Sequence, residues 1–328
     1  MHPSLIPLEE QRDGMSSSSK AYLKPLILGT RGSDLALAQS RIVRAAMEKA
    51  HPGLSIQLKT ITTTGDAQTA MPLHEPTAEG AGLFTKQLEE ALLRGEIDLA
   101  VHSLKDLPVQ TPAGLTLAAI LPRAPVDDLL VSRHPGGLAG LPPGSTVGSS
   151  SPRRALLLKA RRPDLNLIPI RGNVPTRLAK VAAGASFDAT ILAAAGLNRL
   201  GHELSLGILE IEGLTLWLES LEWMLPAPGQ GAIAVECRAG DAAEALLSVL
   251  NHGPTSRCVE AERLVLKHLG GGCHLALGAL AIESPEGITL NAVFIPHPDT
   301  DSAPLTASAI APSPAQVAKM VADRLLSS

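Results

Sequence analysis

The 328-residue chain carries 28 Lys+Arg against 32 Asp+Glu, a formal charge of -4, with 45% apolar, 18% charged and only 2% aromatic residues. Such a length exceeds one ordinary core and predicts several domains, and the apolar fraction places the chain among globular proteins with aliphatic interiors. A net negative charge offers no global field for a nucleic-acid backbone, and scarce rings remove the stacking platforms that single-strand binders need.

Cys237, Cys258 and Cys273 are widely spaced and odd in number. Neither a disulfide framework nor a zinc site is predicted, and a reducing compartment fits. No apolar run reaches signal-peptide length near the start or the roughly 18 residues of a membrane span, so a cytoplasmic protein without membrane contact is expected. Residues 1–21, ending in the serines around Ser16, read as a flexible tail.

From Leu26 onward short apolar runs alternate with helical patterns, the signature of an α/β fold. Leu26–Leu28 reads as a strand, and Ser33-Asp34 caps a helix through Met47. Thr85–Arg94 reads as a second helix stopped by Gly95, with Phe84, Leu88 and Leu92 on one stripe. Leu99–Val101 then forms a buried strand ending at His102. A proline-rich stretch from Pro108 to Pro125 suggests a domain change near residue 122. Two further strand-helix units follow, Ser145–Val147 into a helix from Arg153 and Leu167–Ile170 into a helix from Pro175. Ala189–Ala193 is another strand. Residues 201–225, with Trp217 and Trp223, read as a helix or flap. Gly229-Gln230-Gly231 leads into the strand Ala232–Val235. A small α+β unit begins near Pro254, with one helix presenting Cys258, Ala261, Val265 and Leu269, a glycine break at 270–272, two or three strands, and a closing helix aligning Val317, Val321 and Leu325. No repeat of fixed period occurs.

Ligands of open α/β sheets bind beyond the carboxyl ends of the strands. The predicted strand-to-helix turns there carry Arg31, Lys105, Arg153, Arg154, Arg171 and Arg177, beside helix N-termini whose orphan N–H groups favour anions. Any one of these cations could be a solvated helix residue or the partner of a nearby acid. Five arginines at equivalent turns point instead to a ligand with several carboxylates, because the guanidinium fork suits bidentate carboxylate recognition. No Walker or Rossmann glycine fingerprint accompanies them. Asp106 stands among these cations. A carboxylate there is poorly placed to bind an anion and better suited to moving protons or stabilising a developing cation, although a turn-forming role is the plainer alternative. Cys237 and Cys258 read as buried small hydrophobes. Cys273 follows three glycines that leave its thiol presentable, and a packed loop cysteine is equally compatible with the residues alone.

Together these segments resemble the porphobilinogen deaminase (hydroxymethylbilane synthase) family, from about Leu26 to Gly278. The carriers are Gly29–Ser33 with Leu35–Gln39, Gly82–Phe84, Val101–Pro108, Ser150–Arg154, Arg162–Leu165, Arg171–Leu178, Ala194–Leu197, Gly229–Ala232 and Gly271–Cys273. The resemblance implies three domains, two periplasmic-binding-protein-like lobes around a cleft plus a small C-terminal α+β domain. Mapped onto this chain they are 22–122 with 226–249, then 123–225, then 250–328. It also implies a dipyrromethane cofactor joined to Cys273 by a thioether and contacted by Lys105, Asp106, Ser151, Arg153 and Arg154. Porphobilinogen, the small-molecule substrate, would meet Arg31, Ser33, Phe84, Arg171, Arg177 and Gln230. Asp106 would transfer protons and stabilise pyrrole cations while four units join head to tail with loss of ammonia, before hydrolysis releases hydroxymethylbilane. A monomer is the family expectation. The chain departs from the family pattern in four places. Residues 77–82 lack the usual lysines, Cys273 is followed by His274-Leu275-Ala276, Pro175 replaces a glycine, and 201–225 is longer. A second reading, a two-lobed polycarboxylate-binding protein without turnover, fits the lobes and the missing lysines but leaves Asp106 and Cys273 without a purpose.

Overall fold

A computed structural model describes residues 24–62, 85–205, 207–271, 275–296 and 303–327. The expected tail 1–21, the 77–82 stretch, Phe84 and Cys273 lie outside the described residues. Strands β1 (Leu26–Thr30), β2 (Ile56–Thr60), β3 (Leu99–Ser103) and β4 (Leu115–Ile120) join a much later strand, β11 (Ile233–Arg238), in one sheet ordered β2-β1-β3-β11-β4. Helices α1 (Asp34–Ala50) and α2 (Lys86–Leu93) pack on it. β1 is parallel to both of its neighbours, whereas β11 runs antiparallel between β3 and β4.

The second sheet is built from β5 (Asp128–Ser132), β6 (Thr146–Gly148), β7 (Asn166–Ile168), β8 (Ala189–Ala193), β9 (Ile208–Ile211) and β10 (Leu214–Ser220), ordered β7-β6-β8-β5-β10-β9. Its helices are α3 (Pro152–Arg161), α4 (Val174–Ala183) and α5 (Ala194–Arg199). The third sheet is an antiparallel meander of β12 (Ala276–Ser284), β13 (Gly287–Ile295) and β14 (Leu305–Ala311). It is covered on one face by α7 (Gly253–His268) and α8 (Pro314–Leu326), after a short α6 (Ala242–Leu247). The α/β class, with two large sheet-and-helix units and a small C-terminal one, is the expected class.

Residues 201–225 correct the helix-or-flap expectation, because they form the β9–β10 hairpin at the edge of the second sheet. The turn is Glu212-Gly213, both at positive φ (53° and 79°) as a twisted two-residue hairpin requires. Along β10 Leu216 is buried and Leu214, at the hairpin turn, is exposed, so burial follows no simple period of two there. The proline-rich stretch likewise contains β4, a strand not foreseen there.

The chain leaves the first sheet after β4, builds the second, and returns as β11. These two crossings hydrogen-bond to each other, Leu121 N to Ile233 O at 3.0 Å and Ala124 N to Gly231 O at 3.2 Å. Gly231 must be glycine at this junction, since its φ is 87° and a Cβ would lie 2.5 Å from the Ala124 carbonyl oxygen. Glu262 of α7 locks the junction to the third sheet. Its fully buried carboxylate accepts from Arg123 Nη1 (2.6 Å) and Nη2 (3.0 Å), Gly229 N (2.8 Å) and Ala281 N (2.9 Å). A buried carboxylate is tolerable only with this degree of satisfaction.

Candidate active site

Three helix N-termini carry residues that share a pocket or an electrostatic field with Lys105 and Asp106. Ser33 caps α1, its hydroxyl accepting from Ala36 N at 3.4 Å, and Ser151 caps α3 by accepting from Arg154 N at 3.4 Å. Asn173 caps α4 through Thr176 N at 3.0 Å. Pro175 sits in the first turn of α4, where its missing N–H has no helical partner to lose. Each serine therefore has one lone pair committed to its helix and its hydroxyl hydrogen still to give.

In the first lobe Arg31, Ser33, Gln39, Ser103 and Asp106 line one pocket. Gln39 Nε2 donates to Ser103 Oγ at 2.9 Å, tying α1 to the end of β3. A short 3-10 turn, Leu104–Asp106, then projects Lys105 and the exposed Asp106. Behind the pocket His102 Nε2 lies 3.3 Å from Glu236 Oε2 with both side chains buried. Burial, reinforced by the Glu236 carboxylate, pushes Glu89 above the ordinary carboxylate range.

The second lobe presents a different arrangement. Arg153 and Arg154 are buried against Asp128, which is itself fully buried at the start of β5. Arg153 Nη2 lies 2.7 Å from Asp128 Oδ2, and Arg154 reaches Oδ1 through Nη2 (2.6 Å) and Nε (3.0 Å). Arg154 Nη1 also donates to Ile191 O at 2.9 Å, and Arg153 Nη1 to Leu225 O at 2.7 Å. Burial would raise the Asp128 pKa, yet Arg154 and Arg153 outweigh it and hold this carboxyl well below the usual range. One carboxylate serves two guanidiniums, so the cluster keeps a net positive charge.

Gln230, expected at the substrate, is instead fully buried and joins the lobes from behind. Its Nε2 donates to Val126 O (2.6 Å) and Asp128 Oδ1 (3.0 Å), and its Oε1 accepts from Lys105 Nζ at 3.4 Å. The amide has the one acceptor and two donors needed to bridge a cation and an anion, and no face left for solvent. Burial, with Arg154 adding repulsion, lowers the Lys105 ammonium to about 8. Arg177 is lowered by burial and by Arg154, with Asp106 acting in the opposite sense, so the second lobe's α4 and the first lobe's turn share one field. Arg177 Nε donates to Gly172 O at 2.9 Å, and Arg171 is half-buried in the same turn.

Two participants escape sequence reasoning. Asp128 has no role in the sequence reading, although an acid opening an otherwise apolar run, DLLVS, is a signal for a buried partner. Arg199, at the end of α5, donates to Gly231 O at 2.6 Å, and burial alone lowers it to about 10. A desolvated guanidinium beside Gln230, with no acid in its field among the described residues, is a group that an anionic ligand would stabilise.

The geometry defines a class. It is a two-lobed α/β protein whose cationic helix N-termini converge on a turn bearing one accessible carboxylate. Residues 26–245 match the family described as porphobilinogen deaminase, dipyromethane cofactor binding domain, and residues 256–327 match porphobilinogen deaminase, C-terminal domain. The chain is 48% identical over 266 residues to a porphobilinogen deaminase of Xanthomonas euvesicatoria, covering 81% of this chain and 84% of the relative. It is 43% identical over 302 residues to one of Rubrobacter xylanophilus, covering 92% and 93%. Among solved structures, a periplasmic domain of Bordetella pertussis BvgS aligns over 68% of this chain and 85% of that one at 14% identity, with a TM-score of 0.39. The chain belongs to the porphobilinogen deaminase family, transferases of tetrapyrrole biosynthesis that work on a dipyrromethane cofactor. The described residues suit such a group, because Lys105, Arg177 and Arg199 are desolvated cations whose charge an acetate- and propionate-bearing ligand would balance. Among the described residues no helix is long and apolar enough to cross a membrane.

Proposed function

We propose that this chain is a hydroxymethylbilane synthase that holds dipyrromethane on Cys273, adds four porphobilinogens to it, and acts as a cytoplasmic monomer. The single observation that carries the reading is Asp106, an exposed carboxylate on a braced turn within the field of Lys105 and Arg177. Dipyrromethane, when bound, supplies the pyrrole nucleophile on which the chain grows. Arg153, Arg154 and Ser151 of the second lobe, with Lys105 of the first, hold its carboxylates. Arg31 and Ser33, with Arg171 and Arg177, hold those of the incoming porphobilinogen, Phe84 contacts its apolar ring, and Gln230 acts through Lys105. Asp106 accepts the α-proton of the attacking pyrrole ring and returns a proton to the departing amine, so each addition forms one carbon–carbon bond, breaks one carbon–nitrogen bond and releases ammonia. Its charge also stabilises the cation that develops between these steps.

Intact-mass spectrometry of the purified protein tests the reading. The native mass should exceed that of the bare chain by two pyrrole units, and Cys273→Ala should remove the increment. A bare native mass that persists after incubation with porphobilinogen would eliminate the enzyme and leave the non-catalytic polycarboxylate binder.

A further inference from the structure

The turn that presents Asp106 is held by a helix of the third domain. Leu104 and Leu107, which flank Lys105 and Asp106, are buried pegs in a cluster with Ala232, Ala234 and Val259 of α7. One helical turn beyond Val259, Arg263 reaches the same segment. Its Nη2 donates to Pro108 O at 2.7 Å and its Nη1 to Leu107 O at 3.1 Å, with longer contacts of 3.4 Å to Leu104 O and Val109 O. Pro108 and Pro112 have no N–H to offer, so this stretch is pinned mainly through its carbonyl oxygens. A guanidinium, all donors in a rigid plane, is the complementary group, and an ammonium on a flexible stem is not.

We propose that Arg263 is a positioning residue for the deaminase reaction. By gathering the carbonyls on both sides of Lys105-Asp106 it fixes the height of the Asp106 carboxylate in the cleft and couples that height to α7, the helix that precedes Gly270-Gly271 and, in sequence, Cys273. The neighbouring Glu262 grips the two crossings from the same helix, so α7 sets the hinge and the turn together. Displacing a reacting carboxylate by even about 1 Å lowers the chemical step by about a hundredfold without weakening anion binding. Arg263 touches no reacting atom; it acts through the backbone. This inference rests on the reading of Asp106 as the proton-transferring group.

The test uses the full-length, cofactor-loaded protein as Arg263→Lys and Arg263→Gln, with amide hydrogen exchange followed at Leu104, whose N–H bonds Ala232 O at 3.1 Å, and at Leu107, whose N–H bonds Leu104 O at 3.1 Å. Expected are retention of the two-pyrrole mass increment, a kcat at least about tenfold lower with KM changed by less than about threefold, and faster exchange at both amides. The lysine variant, which keeps the charge and most of the stem, carries the test if the glutamine variant fails to fold. A kcat within about twofold of the parent, or unaltered exchange at the turn whatever the rate, overturns the proposal. Asp106→Ala separates the two ideas. It should abolish turnover and leave exchange at Leu104 and Leu107 unchanged, and if turnover survived, the role of Asp106 would fall while exchange alone still decided whether Arg263 holds the turn.

Discussion

The two walls of the cleft solve the same problem in opposite ways. On the second-lobe side Arg153 and Arg154 are buried, and Asp128 is drawn in as a fixed counterion that orients them before any ligand arrives. On the first-lobe side Arg31 and Ser33 are half-buried and Asp106 is exposed. A wall built around an internal ion pair is preorganised for a permanently attached anion. A wall that stays hydrated suits a substrate that must arrive and be moved on. The division explains why one turn has an acid in the cleft and the other has its acid underneath.

Exchanging Asp106 for Ala should break the open wall's chemistry alone. A kcat loss of at least about a thousandfold is expected, measured as ammonia released from porphobilinogen, with stability to urea changed by no more than about 0.5 kcal/mol as for other exposed sites. The buried wall should respond in reverse. Asp128→Asn strands two buried guanidiniums and should cost about 3–5 kcal/mol of stability, read from urea unfolding, with loss of cofactor from the intact mass. If Asp128→Asn were as stable as the parent, the counterion account of that wall would be wrong.

Removing Arg31 sharpens the contrast at intermediate size. One charge-assisted contact is worth about 1.5–3 kcal/mol, so Arg31→Ala should raise KM about ten- to a hundredfold while the melting temperature stays within a degree or two of the parent, roughly the shift of 0.5 kcal/mol or less for a chain of this size. A melting point that fell with the affinity would place Arg31 in the structural class with Arg154. The smallest effect is one of pH. Lys105 has its folded-state pKa lowered to about 8, from the ordinary 10.5 that the unfolded chain retains. Below about 8 it is charged in both states, and between these two values the unfolded chain binds more protons, so stability rises with pH there. Anion binding runs the other way, because the ammonium is lost from the free protein above about 8. Uptake of dipyrromethane by the cofactor-free protein, followed by intact mass, should decline through that point, and Lys105→Arg should remove the decline.

Much of this organisation is legible in short stretches of sequence. The helix beginning at Ser33 is legible because the cap, the apolar period and the turn cations agree locally, and so are the strand Ala189–Ala193 and the closing helix with Val317, Val321 and Leu325. β4 and the β9–β10 hairpin are not, for one reason. In a proline-rich context and in a run of acids and tryptophans no clean alternation marks these strands, and only their pairing partners define them. At the site, the residue types at the turns are legible, and their states are not. Whether Arg153 faces a ligand or an internal acid depends on Asp128, 25 positions away in sequence and on β5, whereas Arg153 stands on α3.

The sequence by itself determined the α/β class, the cationic turns and the carboxylate among them, because caps, periodicity and turn chemistry act over a few residues. Tertiary structure alone decided that Gln230 is a buried bridge, that Glu262 and Arg263 reach from the third domain to the hinge and the Asp106 turn, and that one arginine wall is already neutralised in part. Each of those facts is a pairing between residues remote in the chain, and burial gives such a pairing its energy. Only the folded chain sets which charges lose their water together.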